Sequence, residues 1–209
     1  MTQFWSNFIG DFLLGLVTNF GVATGSLMLG GIIGGGLAFL RYRTRWAGRV
    51  ASAITGLLRA SPTFVVMFFL LNVSPSAISV FDTTVPIPAT LVLIMALSIY
   101  SSAYVSDNLQ DTLRHLDSGA TGAALLLIPN TLRCFVVLVM ASSTGAAIGV
   151  REAVTITLRQ VERLSTTGGR IALVLAVILF FALLMHLGRM GTAWLTGRIQ
   201  DTVNDQAGA

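Results

Sequence analysis

Charge is what this sequence has least of. Only 11% of its 209 residues are Asp, Glu, Lys or Arg, where an ordinary soluble domain carries about a quarter. With 54% hydrophobic residues and a mean hydropathy of +0.80, the chain cannot cover itself with polar surface. A soluble globular fold is excluded, and the composition implies an integral membrane protein with a handful of spans. Lysine is missing altogether: all 13 basic residues are arginine. A phosphate-cradling glycine loop needs a lysine, so ATP hydrolysis by this chain is not expected. The lone Cys134 excludes an internal disulfide. His115 and His186 lie far apart and nothing has metal-ligand spacing, so no metal site is expected. No basic residue precedes Arg41, so the first apolar segment lacks the start of a cleavable signal peptide and is expected to stay in the mature protein. The net charge of +4 comes from arginines clustered beside apolar runs, the pattern that sets membrane topology, and no nucleic-acid partner is expected.

What is present is a series of long apolar runs. Spans are predicted at about 12–40, 50–73, 89–105, 123–148 and 171–187, giving an all-α membrane domain over 1–209 with about five transmembrane helices. The first run is glycine-rich. Gly21/Gly25, Gly30/Gly34 and Gly31/Gly35 are four apart and share helix faces, where another helix of this chain or of a partner can approach closely. "RYRTRWAGR" follows, with Arg41, Arg43, Arg45 and Arg49 and no acid. Positive residues beside a span stay on the cytoplasmic side, so the N-terminus is expected outside and the C-terminus inside. Residues 149–170 run against that bias. They fall outside by alternation yet hold four arginines, offset by Glu152 and Glu162 as local counter-charges.

The second run opens on "LLRASPTFVVMFFLL". Pro62 removes a backbone donor and breaks a helix, and in a bilayer the freed carbonyls must find partners or line a wet cavity. The hydroxyls of Ser61 and Thr63 are candidates for that. Arg59 either snorkels to the interface or faces protein and water. The residues alone are compatible with a transport-related break or a structural kink. The prolines at 75, 86 and 88 mark a short outer connection. Ser98, Ser101, Ser102 and Tyr104 place polar groups on the third span, which should face protein or a water path. The polar inner loop 106–122 spaces Leu109, Leu113 and Leu116 as one helix face, with Asp111, Arg114 and Asp117 on another and Gly119 behind. Such a segment either docks in a partner's groove or lies on the lipid surface.

These pieces resemble, in order, the membrane permease subunits of ABC importers for polar amino acids and opines. "LRASPTFVVMFFLL" is similar to that family's "FRGTPLLVQLFLIYF". "LSIYSSAYVSDNL" is similar to "ALSLYSAAYIAEIIR", "IPNTLRCFV" to "LPQALRLAL", and "SSTGAAIGVREAV" to "TSLVSVIGVPELT". The glycine-rich first run, ending in basic residues, looks like the family's opening helix, and the resemblance covers about residues 12–198.

The resemblance implies a type I importer-like permease in a bacterial cytoplasmic (inner) membrane, moving an amino acid or similar small polar solute. Its partners would be a second permease subunit (a different one rather than a copy), two cytoplasmic ATPase subunits holding ATP and Mg, and an extracytoplasmic solute-binding protein. Arg59, Ser61, Pro62, Thr63, Ser98, Ser101, Ser102 and Tyr104 would border the translocation path. Residues 107–119 of the 106–122 loop, with Leu109, Asp111, Leu113, Arg114, Leu116, Asp117 and Gly119, would form the ATPase-coupling dock. The chain departs from the pattern there: no Glu-Ala-Ala occurs and the loop is shorter than the family's. The lysine and aspartate expected before "IGV" are replaced by Met140 and Ala141. The shortened loop leaves open a second reading, a non-transporting assembly or sensory subunit; a third is an ion-coupled secondary transporter.

Overall fold

A computed structural model describes residues 2–74, 77–80, 83–119 and 124–207. Pro75, positions 120–122 of the expected inner loop and Ala123, where the fourth span was expected to begin, lie outside the described residues. The elements are helices α1 (Thr2–Arg43), α2 (Arg45–Ala60) and α3 (Thr63–Val73), an antiparallel hairpin of β1 (Ala77–Val80) and β2 (Thr83–Pro86), then α4 (Ala89–Asp117) and α5 (Leu127–Ala141). A 3-10 segment, Ser142–Ile148, leads to α6 (Ala153–Arg163) and α7 (Thr167–Ala207). The fold is thus nearly all helical. The hairpin replaces the plain outer connection expected over 74–88.

Among the described residues, four helical stretches are long and apolar enough to cross a membrane: Asn7–Arg43, Ala89–Asp117, Leu127–Ile148 and Thr167–Asp201. The expected span at 50–73 is not one helix. It is α2 and α3, bent by 94° at Ser61–Pro62. Both break residues have extended backbone, with ψ of 120° and 109°, as expected where a proline stops one helix and opens the next.

Helices α1 and α4 form the central pair, and glycine makes their approach possible. A Cβ at Gly30 would sit 2.9 Å from the backbone nitrogen of Ser102, and one at Gly34 would sit 3.0 Å from that of Ser106. Gly25 faces Ile94 at similar range. The seam is hydrogen-bonded as well as tight: Ser101 Oγ donates to the Ser26 carbonyl at 2.7 Å, and Ser26 Oγ to that of Ile94 at 3.3 Å. Gly21, Gly31 and Gly35 point into open space. The three pairs therefore have different fates: Gly30/Gly34 closes on α4, Gly31/Gly35 has no neighbour in this chain among the described residues, and Gly21/Gly25 is split between the two.

One apolar core joins α1, α3, α4 and α5 through Val22, Met67, Leu93, Leu97 and Leu138. A smaller one joins α1, α6 and α7 through Phe12, Ala153 and Phe181. The chain turns from the 3-10 segment toward α6 at Gly149, whose φ of +80° is one a side chain would resist.

Candidate functional site: a broken helix tied to the end of a span

Three helices meet around Asp107. Arg41, from the last turn of α1, approaches its Oδ1 at 2.9 Å and also donates to Ser106 Oγ at 3.0 Å. Arg59, from the last turn of α2, pairs with Oδ2. Thr55 of α2 completes the cluster, 3.3 Å from Ser106 Oγ. Arg41 is largely enclosed, with 15% of its side chain exposed, whereas Arg59 is 65% exposed. The Arg41 Nε is buried without a partner among the described residues. The Arg41 pair is accordingly the stronger tie, because a mostly exposed pair is screened and worth little.

Ser61 bonds near the break, but not to the Leu58 carbonyl that Pro62 leaves without an N–H. Its hydroxyl donates to the Leu57 carbonyl at 2.8 Å, satisfying one of the acceptors left at the end of α2. The Pro62 carbonyl accepts from Val66 in the first turn of α3. Thr63 opens α3 and makes no hydrogen bond through its side chain among the described residues. Beside the break lies a cavity of about 320 Å³ lined by Arg59, Tyr100, Tyr104, Asp107 and Asn108. Of the expected path residues, then, Arg59 and Tyr104 come together, and Ser61, Pro62 and Thr63 adjoin them. Ser98, Ser101 and Ser102 do not join them. They are buried, Ser101 in the α1–α4 seam, and their hydroxyls donate to backbone carbonyls: Ser98 to Met95, Ser102 to Ser98, and Ser101 chiefly to Ser26.

The expected coupling loop is also reorganised. Residues 107–117 are not a separate short helix but the last turns of α4, running on from the apolar span. The reason is local: no proline or glycine occurs before Gly119, and Asn108 and Thr112 hydrogen-bond back to carbonyls four residues earlier. The helix stops at Gly119, with φ +82° and its N–H on the Leu116 carbonyl. Asp117 accepts from the Tyr42 hydroxyl at 2.8 Å, fixing this end to α1. Leu116 is 42% exposed, Leu109 and Leu113 are half-buried, and Asp111 and Arg114 are exposed.

A second polar centre escaped the sequence reading. Glu152, read there as a local counter-charge, is 1% exposed and caps α6. It accepts from the backbone N–H of Thr155 at 2.7 Å and of Val154 at 2.9 Å, from Thr155 Oγ1, and from Asn19 Nδ2 at 3.2 Å. Asn19 also donates to Ser142 and accepts from the Ala153 N–H, so α1, the 3-10 segment and α6 share one satisfied buried network. The sequence carried no strong signal for this cap: Glu is not among the preferred N-cap residues, and the Val, Thr and Ile that follow it are not strong helix formers. Nothing local pointed to Asn19, 133 positions away. His186 lies on the exposed α5–α7 groove with Arg133 and Arg189. Among the described residues no cluster suits a metal ion.

Comparison with known proteins agrees with this architecture. A solved structure described as an amino acid ABC transporter with histidines superposes with a TM-score of 0.65 over 90% of this chain and 96% of that one, at 18% identity. This is an ABC permease fold. A probable amino-acid ABC transporter permease protein of Sinorhizobium fredii is 32% identical over 113 residues, covering 54% of this chain and 46% of that protein. The chain thus matches that curated relative over about half of the relative's length. No family model matches the chain. Within the permease fold, the Arg41–Asp107–Arg59 cluster sits where the arginine-rich ends of α1 and α2 meet α4, and the Glu152 network binds the opposite half of α1 to α6.

Proposed function

We propose that this chain is a transmembrane permease subunit of an ABC importer for an amino acid or a similar small polar solute. It does no chemistry itself. The transport stroke comes from ATP and Mg held by separate ATPase subunits on the cytoplasmic face of a bacterial inner membrane. A second permease subunit, different from this one, and an extracytoplasmic solute-binding protein complete the assembly.

The observation that carries this reading is mechanical continuity. The end of α4 beyond the apolar span, 107–117, is one helix with the span itself, and Ser106 and Asp107 meet Thr55 and Arg59 of α2 just ahead of the α2–α3 break. A push on the exposed tip of that end, Asp111, Arg114 and Leu116, is transmitted along α4 to the cavity beside the break. No hinge residue intervenes to absorb it. The fold likeness and the S. fredii relative support the same class.

The test is uptake of labelled amino acids into proteoliposomes holding the assembly purified through this chain. The expected result is uptake that requires ATP inside, requires the binding protein outside and is insensitive to proton and sodium ionophores. Ionophore-sensitive uptake without ATP would refute it.

A further inference from the structure

We propose that a pocket at the arginine-rich end of the molecule, between the last turn of α1, the start of α2 and the end of α4, binds the phosphate headgroup of an anionic phospholipid. The pocket holds about 660 Å³. Five arginines line it (Arg41, Arg43, Arg45, Arg49 and Arg114) and no acid does. Arg41 is engaged by Asp107, but the other four have no carboxylate partner among the described residues. Arg43 and Arg49 only lean on the rings of Phe39 and Trp46. Gln110 adds a polar group that is 5% exposed, lines the pocket and makes no hydrogen bond among the described residues. Four unneutralised guanidinium forks around one cavity suit the oxygens of a phosphodiester.

The position of α2 selects a lipid over other anions. Its residues divide into three faces. Gly48, Ala51 and Thr55 are buried against α1 and α4. Arg45, Arg49 and Ser52 face the pocket. Trp46, Val50, Ile54 and Leu57, spaced as one stripe, are 79%, 61%, 40% and 69% exposed. Helix α3 packs into the core through Met67, and α2 turns away from it by 94°. A short helix with an apolar tryptophan-bearing stripe beside a basic face, following the arginine-rich end of a span, belongs in the headgroup layer. The stripe meets acyl chains at the level where the pocket meets phosphates. The proposal requires that this end of the spans lie at a membrane boundary. It does not depend on what is transported.

Native mass spectrometry of the assembly purified in detergent tests it, with dioleoyl phosphatidylglycerol and dioleoyl phosphatidylcholine offered in equal amounts. We expect phosphatidylglycerol to be retained preferentially by on the order of tenfold. The double variant Arg45→Gln/Arg49→Gln should abolish that preference, and Arg114→Gln, on a different helix, should reduce it. The control Arg159→Gln/Arg163→Gln, at the far end of the molecule, should leave it intact. Equal retention of the two lipids by the wild type, or an undiminished preference in the variants, would overturn the proposal. So would displacement of the lipid by excess inorganic phosphate, which would mark a site for soluble anions. Loss of a protein subunit in place of the lipid would reassign the pocket to a protein contact.

Discussion

Asp107 holds arginines from two helices, and their burial predicts unequal consequences. Asp107→Asn strands the enclosed Arg41 and should cost about 1–3 kcal/mol of stability, read as a fall in Tm of the detergent-solubilised protein. Arg59→Gln removes a mostly exposed partner and should cost under about 1 kcal/mol. Equal losses from the two would mean that Arg41 is not the stronger tie. The glycines of α1 make a sharper comparison. Gly30→Val or Gly34→Val drives a side chain into the α4 backbone and should destabilise by at least about 1–3 kcal/mol. Gly31→Val and Gly35→Val, facing open space, should leave Tm unchanged in the isolated chain. At this scale the sequence was half legible. Spacing identified glycine faces but not which one closes on α4, and Pro62 pointed to Ser61 as a carbonyl cap but not to which carbonyl it bonds. It could not pair Arg41 with Asp107 across 66 positions, or Glu152 with Asn19 across 133, because contacts at such separation leave no periodic trace. Glu152→Ala removes a helix cap and leaves buried donors unpaired. It should lower stability by about 2 kcal/mol, and hydrogen exchange should show α6 loosened first.

Among the elements, the α2–α3 break and the unbroken α4 carry the account. Apolar runs and basic flanks located the spans because lipid imposes those patterns directly. The break at Pro62 was legible, but its angle was not. A proline permits a bend, and packing of α3 on α4, together with the different face patterns of α2 and α3, sets it at 94°. The continuity of α4 through Asp117 was misjudged because polarity marks where a helix leaves the membrane, not where it stops. The first true stop signal after the span is Gly119. Pro62→Ala lifts the steric bar and is predicted to let α2 and α3 straighten. Spin labels at Ile54 and Phe69 should then move apart by about 6 Å, from the rise of an extended helix. ATP-driven uptake should fall with the straightening. Unchanged distance with lost uptake would place the function of Pro62 elsewhere than in the bend.

For the whole molecule, the described chain leaves much apolar surface uncovered, including the Gly31/Gly35 face of α1 and most of α7, where Ile178, Leu179 and Leu183 are more than half exposed. Lipid and, in the proposed assembly, a second permease subunit would cover such a surface; the fold matches a solved structure over 90% of this chain. The central claim is that the exposed end of α4 receives the stroke of an ATPase and passes it to the break. The most direct test is purification of the tagged chain from its native membrane with crosslinking mass spectrometry. A second permease and an ATPase should appear in the preparation, with ATPase crosslinks falling on 107–119. A chain that emerges with no ATPase, or with an ATPase whose crosslinks all lie away from α4, would contradict it.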